Sequence, residues 1–311
     1  MENKHSTQAD LLLLAVTIIA AGGWIFSVEA MKELPPLMFI GIRFLTASAF
    51  IAVFYPKQLR ELSIPALKTS IFVGLCFSIA ITFWVQGLYH TEHVGEGAFI
   101  TSLAVVLVPI FAALIFKERP STSTWIALPI AATGLALLAL DENLNFHMEA
   151  AQINFVIAAV LFSLHFNLIT YAANKIPAAA LTVIPLAVVG VISLIISLFT
   201  EQWPESVSWT AWGWLMASAL IATSLRFLIQ TYAQGLTPAS HAAIILIVEP
   251  VWTSITAALW FGESMIFSQL LGCGLIFTSL IINRWNWVTE LLHQSKKRLF
   301  ISPKKPLVEK K

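Results

Sequence analysis

The feature that most constrains this chain is a series of uncharged apolar runs, each roughly twenty residues long. A helix of that length, rising about 1.5 Å per residue, crosses the roughly 30 Å hydrocarbon core of a bilayer. Lipid offers no partner for backbone N–H and C=O groups, so such runs must be helices. We predict ten transmembrane spans, at residues 11–28, 35–55, 67–89, 94–116, 122–140, 151–173, 177–199, 210–234, 239–261 and 265–285. The predicted fold class is an all-α polytopic membrane protein.

Composition and motifs exclude several classes of protein. Only 11% of the 311 residues are charged, too few for the surface of a soluble domain. Both cysteines, Cys76 and Cys273, lie within apolar runs and lack ligand spacing, so we expect neither a disulfide framework nor a metal site. The sequence has no GxxxxGK[ST] loop for ATP and no HExxH or GxSxG motif. We therefore expect no enzyme, no catalytic residue and no cofactor.

The distribution of Lys and Arg predicts the orientation. With a cytoplasmic N-terminus, fifteen of the eighteen Lys and Arg residues fall on the inner side and only Lys32 falls outside. We therefore expect a multi-pass protein of the bacterial inner (plasma) membrane, with both termini in the cytoplasm. The basic tail, residues 289–311, is explained by this topology and by attraction to anionic lipid, without nucleic acid.

The two halves of the chain share a pattern. The spacing from Thr91 to Glu118 recurs, within one residue, from Thr237 to Glu263. Because five is an odd number of helices, a second five-helix copy enters the membrane upside down. Inverted repeats that move around a site near the bilayer midplane are typical of secondary transporters. We predict two inverted five-helix repeats, at residues 10–140 and 151–285, followed by the tail.

Short motifs accompany this organisation: Leu34-Pro35-Pro36, Ile42-Arg43-Phe44-Leu45, Ala98 to Leu103, Val108-Pro109, Lys117-Glu118-Arg119, Glu249-Pro250-Val251 and Gly262-Glu263. In order and spacing, residues 10–285 resemble the drug/metabolite transporter superfamily, in particular the ten-helix EamA-type permeases with two EamA repeats. One departure is that the second half has Pro185 at the position of Arg43, so the halves are not functionally interchangeable.

The resemblance implies a secondary active transporter that exports amino acids or related small metabolites by alternating access. Its partners would be a small-molecule substrate, the lipid bilayer and a proton as coupling ion, and the resemblance assigns no oligomeric state. Two alternatives are open. One is an uptake carrier or facilitator for a vitamin or nucleoside-like solute, and the other is a lipid-headgroup flippase.

Arg43 is a charged residue inside span 2, about 12 Å below its outer end. A charged arginine at such a depth costs on the order of 3 kcal/mol by insertion scales, so it needs a compensating partner. Two interpretations are open. Arg43 binds a substrate carboxylate or a gate partner, or it bonds to neighbouring carbonyls and fixes span 2 in the bundle.

Arg226 and Glu249 lie at a similar depth on consecutive spans 8 and 9, about 12–15 Å above the cytoplasmic face. We predict an intramembrane ion pair, because either charge alone would be costly. Alternatively, Glu249 carries a coupling proton, and the positive charge of Arg226 makes that proton easier to release. Pro109 and Pro250 remove backbone hydrogen bonds in spans 4 and 9, which predicts helix kinks that line a cavity, provide a hinge or only shape the packing.

Uncharged polar and aromatic residues complete the predicted binding site. Gln86, His165 and Gln230 are candidate substrate-binding groups, and Trp84 and Tyr89 are candidates for stacking on a flat substrate. His165 would relay a proton or make an interhelical hydrogen bond.

Overall fold

The computed structural model describes residues 2–91, 94–139, 150–262 and 267–283. In these residues the chain forms helices joined by short turns, without a β-strand. Spans 1 to 7 are the helices Glu2–Met31, Pro36–Phe54, Ile64–His90, Val94–Leu114, Thr122–Ala139, Ala150–Ala173 and Ala178–Thr200, and span 10 is Phe267–Asn283. A short helix, Pro56–Arg60, precedes span 3. Glu263 and the predicted tail lie outside the described residues.

The described helices have the length and surface that a membrane requires. Seven segments are long and apolar enough to cross a bilayer: Thr7–Met31, Pro36–Phe54, Ile64–His90, Ala150–Ala173, Ala178–Thr200, Trp209–Gln234 and Ala239–Trp260. Spans 4 and 10 contribute the shorter apolar stretches Ile100–Leu114 and Leu270–Ser279. Large apolar side chains such as Phe199 and Leu259 point outward, as a lipid-facing surface requires. The predicted all-α polytopic membrane fold is confirmed.

Proline, serine and one carboxylate determine where the helices begin. Pro36 is the first residue of span 2, where its missing N–H needs no partner. The hydroxyls of Ser63 and Ser208 accept hydrogen bonds from the first turns of spans 3 and 8. Glu201 follows span 7 and accepts two backbone N–H bonds from the first turn of span 2, at 2.8 and 2.9 Å. This carboxylate therefore fixes the start of the helix that carries Arg43.

The spans pack with the exchange symmetry expected of an inverted repeat. Span 2 packs on span 7 and span 5 packs on span 10, which pairs equivalent spans of the two halves. The contact of span 3 with span 6 has its equivalent in the contact of span 8 with span 1. In the same way, the contact of span 4 with span 6 corresponds to the contact of span 9 with span 1. At the contact of spans 2 and 7, Gly41 admits Leu194 and Gly190 admits Leu45. A Cβ at either glycine would overlap the opposing leucine, so these glycines allow the close approach.

Two helix irregularities lie in the second half. Span 8 consists of the helix Trp209–Ala217, the π-helical segment Ser218–Leu225 and the helix Arg226–Gln234. Span 9 consists of two half-helices, Ala239–Leu246 and Glu249–Phe261. Each irregularity is followed directly by one of the two residues that were predicted to form an intramembrane ion pair, Arg226 in span 8 and Glu249 in span 9.

The two prolines have different effects, which corrects their predicted equivalence. Pro250 is the second residue of the second half-helix of span 9, so the helix is broken just before it. Pro109 lies inside the uninterrupted helix of span 4. There the side chain of Asn167 on span 6 donates a hydrogen bond to the Val108 carbonyl at 3.1 Å. The carbonyl that loses its intrahelical partner at Pro109 is that of Val105, four residues earlier, so the Asn167 bond joins spans 4 and 6 and does not compensate the proline.

Candidate functional site

A cavity of about 170 Å³ lies in the centre of the bundle, lined by spans 1, 2, 3, 4, 6, 8 and 9. Six of these spans form the equivalent pairs 1 and 6, 3 and 8, and 4 and 9, so the cavity lies between the two halves. Its wall contains six of the predicted residues: Arg43, Trp84, His165, Arg226, Gln230 and Glu249.

Arg43 is buried in the cavity wall, with 6% of its surface exposed. Its Nε donates a hydrogen bond to Thr223 Oγ1 at 2.6 Å, and its Nη1 donates to Ser27 Oγ at 2.9 Å. These partners are hydroxyls of spans 8 and 1, not the carbonyls that the sequence suggested. Among the described residues, no carboxylate forms an ion pair with Arg43. Arg43 therefore joins spans 1, 2 and 8 while its charge stays uncompensated.

The π-helical segment of span 8 positions one of these partners. Thr223 Oγ1 donates to the Ser218 carbonyl at 2.8 Å while it accepts the Arg43 bond, so one hydroxyl joins the guanidinium to the π-helical backbone. π-Helical segments within α-helices are frequent at functional sites.

Arg226 and Glu249 form an ion pair in the cavity wall. Arg226 Nη2 donates to Glu249 Oε2 at 3.2 Å, and Trp24 Nε1 donates to Glu249 Oε1 at 3.2 Å. Each carboxylate oxygen thus accepts a bond from a different span. Glu249 is the first residue of its half-helix, where the helix dipole stabilises a negative charge. The ring of Phe227 lies 4.8 Å from the Arg226 guanidinium carbon.

Four cavity residues carry a buried polar atom that makes no hydrogen bond to the described part of the chain. They are Thr101 Oγ1, His165 Nε2, Arg226 Nε and Gln230 Oε1. Folded proteins leave few such atoms, so a cluster of four at one cavity indicates groups available to a bound solute or water. The described residues bring no three His, Cys, Asp or Glu side chains together as a metal site.

Aromatic side chains form much of the remaining wall. The seven aromatic residues that line the cavity are Trp24, Phe44, Phe77, Trp84, Phe162, Phe166 and Phe227. The rings of Trp24 and Trp84 meet edge to face at 5.2 Å, and the His165 ring stacks on Phe77 at 4.1 Å. Of these seven, only Trp84 was a predicted binding residue.

Gln86 and Tyr89 do not line the central cavity, which corrects their predicted place in one binding site. They border a second cleft of about 550 Å³, together with Glu33 and Glu201. Gln86 follows Trp84 by two residues, so the two side chains point about 200° apart around the helix. Tyr89 lies beyond the end of the cavity, near the last turn of span 3.

Polar contacts join the ends of the spans at both faces. At the face where span 9 begins, His241 Nε2 lies 3.1 Å from Asp10 Oδ1 of span 1. At the opposite face, Glu33 accepts hydrogen bonds from the hydroxyl and the backbone N–H of Ser208, at 2.6 and 2.8 Å. These two bonds favour the ionised carboxylate and lower the pKa of Glu33.

Comparison with known proteins shows similarity over almost the whole chain. A model of the EamA-like transporter family matches residues 7–140 and again residues 150–285. An uncharacterized transporter of Archaeoglobus fulgidus is 25% identical over 281 residues, which cover 90% of this chain and 87% of the relative. The uncharacterized transporter YoaV of Bacillus subtilis is 23% identical over 292 residues, covering 88% and 96%. A crystal structure that is 14% identical matches with a TM-score of 0.72 over 89% of this chain and 96% of its own, which shows the fold alone.

Proposed function

Because the chain belongs to the EamA-like transporter family, we propose that it exports a small carboxylate-bearing metabolite, an amino acid or a related compound, by alternating access. The family is one of transporters and not of enzymes. The proposed carrier is a secondary transporter in which the two halves move around the central cavity.

The observation that carries this proposal is the position of the cavity. It lies between the two halves and holds the intramembrane charges Arg43, Arg226 and Glu249. One of these charges begins a half-helix of a broken span. Secondary transporters typically bind their substrates near the bilayer midplane, between repeats and beside discontinuous helices.

The size and polarity of the cavity support a small, partly apolar substrate. Its volume of about 170 Å³ is below the roughly 300–1,000 Å³ of pockets for drug-sized ligands. Arg43 supplies an uncompensated guanidinium for a carboxylate, which it can bind through paired N–H groups. His165 and Gln230 would bind neutral polar groups of the substrate, and Trp84 would pack on its apolar body.

We propose that Arg226 and Glu249 act as a fixed ion pair that holds spans 8 and 9 together. This role is supported by the two hydrogen bonds to the Glu249 carboxylate. If Glu249 carried the coupling proton instead, transport by Glu249→Gln would no longer respond to a proton gradient. Transport that keeps its gradient sensitivity in Glu249→Gln excludes this role for Glu249.

We also propose the bacterial inner membrane as the location, with both termini cytoplasmic. The support is the Lys and Arg bias, which places one positive residue, Lys32, outside. A reporter that is active only in the cytoplasm, fused after residue 311, should be active, and an inactive fusion would reverse the orientation.

The experiment that tests the function is uptake of labelled metabolites into proteoliposomes, with and without an imposed proton gradient. The panel should contain amino acids, simple carboxylates, nucleosides and vitamins. We expect saturable uptake of a carboxylate-bearing class, and its loss in Arg43→Gln. Saturable uptake of a nucleoside or vitamin without a carboxylate would refute the proposed substrate class, and absence of all uptake by folded protein would refute the carrier function.

A further inference from the structure

The formal charges of the central cavity do not cancel. Among its described lining residues, Arg43 and Arg226 are positive and Glu249 is the one acidic side chain. With His165 neutral, the wall therefore carries one net positive charge. A net charge inside a membrane protein is costly, and a bound counter-charge relieves the cost.

Glu249 is not free to compensate a second cation. One carboxylate oxygen accepts from Arg226 and the other accepts from Trp24, both at 3.2 Å. An ammonium group could still donate to a remaining lone pair of the Glu249 carboxylate, but the single negative charge of Glu249 would then face two cations and the cavity would stay positive. The unpaired acceptor Gln230 Oε1 is neutral, so it can accept an N–H or O–H bond but cannot balance a positive charge.

Arg43, in contrast to Glu249, has a charge that no carboxylate of the described residues balances. Its two hydrogen bonds, to Thr223 and Ser27, use two of five N–H donors. Its Nη2 makes no hydrogen bond to a described residue, so both Nη2 donors and one Nη1 donor have no partner in the described part of the chain. Two adjacent N–H groups on one guanidinium edge match the geometry of a carboxylate.

The rest of the wall suits an apolar, flat body. Four of the aromatic residues come from two spans, Phe77 and Trp84 from span 3 and Phe162 and Phe166 from span 6, and Trp24 comes from span 1. Aromatic side chains pack on a flat apolar group by offset stacking and edge-to-face contact. The cavity thus combines a cation that has unused N–H donors with seven aromatic side chains in its wall.

From these observations we infer that the cavity selects a small organic monoanion with a flat apolar body, a carboxylate that lacks an α-ammonium group. This inference rests on the proposed carrier function and narrows its substrate class from amino acids and related carboxylates to the related carboxylates that carry no ammonium group. A monoanion makes the loaded cavity neutral, whereas a zwitterion leaves one positive charge and a cation makes two.

A consequence for the driving force follows. A carrier that moves a monoanion without a coupling ion moves one negative charge per cycle. A membrane potential that is negative inside then drives the substrate out of the cell, and about 59 mV corresponds to a tenfold gradient of a monovalent ion. Export would need no proton-binding residue in the cavity.

Three ligands with the same phenyl body and different charges test the inference: 3-phenylpropanoate, phenylalanine and phenethylamine. Their binding to the full chain in detergent is measured by titration calorimetry. We expect 3-phenylpropanoate to bind at least tenfold more tightly than phenylalanine, and phenethylamine to give no binding heat. Equal or tighter binding of phenylalanine or phenethylamine, or no binding of any of the three, would overturn the inference.

Two variants locate the binding. Arg43→Gln should weaken 3-phenylpropanoate binding at least tenfold, whereas Arg60→Gln should leave it unchanged. Arg60 is a matched control because it is an exposed cation in the short helix before span 3. Equal affinities of the Arg43→Gln and wild-type proteins would remove Arg43 from the site.

A transport readout on the wild-type protein does not depend on the folding of any variant. Proteoliposomes are loaded with labelled 3-phenylpropanoate, and a potassium gradient with valinomycin sets the potential, with protein-free vesicles as the control for passive leak. We expect an inside-negative potential to accelerate efflux and an inside-positive potential to slow it. Protein-dependent transport that prefers phenylalanine and ignores the potential would overturn this inference and leave the proposed carrier intact. Absence of transport for the whole labelled panel would refute the carrier itself.

Discussion

A double-mutant cycle on Arg226 and Glu249 measures how strongly the ion pair joins spans 8 and 9. Removing one partner of a buried ion pair costs about 3–5 kcal/mol, because the other charge stays behind unpaired. The two side chains are 21% and 20% exposed, so screening reduces this cost. We therefore expect about 2–3 kcal/mol of destabilisation for Arg226→Gln and for Glu249→Gln. The double variant places two neutral amides at hydrogen-bonding distance and should lie within about 1 kcal/mol of the wild type.

The cycle is measured by unfolding in mixed micelles of increasing sodium dodecyl sulfate content, followed by far-ultraviolet circular dichroism. The pair of Lys57 and Glu61 is the matched control, since its atoms are 4.0 Å apart and its side chains are 84% and 67% exposed. The coupling free energy of Lys57 and Glu61 should be below about 0.5 kcal/mol. If the single effects at Arg226 and Glu249 add within about 0.5 kcal/mol, the two residues do not stabilise each other and the ion-pair interpretation is wrong.

Three further predictions concern the packing and the helix ends. Gly97→Ala places a Cβ 2.5 Å from the buried ring of Phe155, so it should cost about 1–3 kcal/mol. Adding Gly97→Ala to Phe155→Leu should cost less than adding it to the wild type, and an equal cost in both backgrounds would contradict the clash. Glu201→Ala removes the cap of span 2 and should lower the melting temperature of the detergent-solubilised protein, whereas an unchanged value would make the cap irrelevant. Hydrogen bonds from Ser208 lower the pKa of Glu33. The contribution of Glu33 to folding stability should therefore be complete above its ordinary pKa of 4.5 and should be lost as the pH falls through the lowered pKa. Acid unfolding of Glu33→Gln should lack this component, and identical pH profiles would contradict it.

The number of spans and most of their limits follow from the sequence because the membrane imposes a length on every helix. Span 1 is an exception, since it was predicted at residues 11–28 and its helix is Glu2–Met31. Span 2 was predicted at residues 35–55 and is the helix Pro36–Phe54. The π-helical segment of span 8 was not predicted, since Ser218–Leu225 carries no proline or glycine that marks it. Its register depends on the hydroxyl of Thr223, which is shared with Arg43 from another span. Such a contact exists only after the helices have packed.

Residues of the cavity were predictable where a polar group lies deep in an apolar run. Arg43, His165 and Gln230 met this criterion, and they line the cavity. Gln86 did not meet it, because it lies three residues before the predicted end of span 3 at residue 89. Helical geometry also separates Gln86 from Trp84, so both signals were available in the sequence. The aromatic wall was not predictable, because the chain has 21 Phe and 11 Trp residues and many of them suit a lipid-facing surface equally well.

Accessibility of the cavity from both membrane faces is the sharpest test of transport by alternating access. Ser102 lines the cavity on span 4, and Ser102→Cys is introduced into a chain in which Cys76 and Cys273 are replaced by alanine. A membrane-impermeant thiol reagent is then applied to right-side-out and to inside-out vesicles. Alternating access predicts that the introduced cysteine reacts from either face and that the reaction stops transport. Labelling from one face only, or from neither, would contradict it.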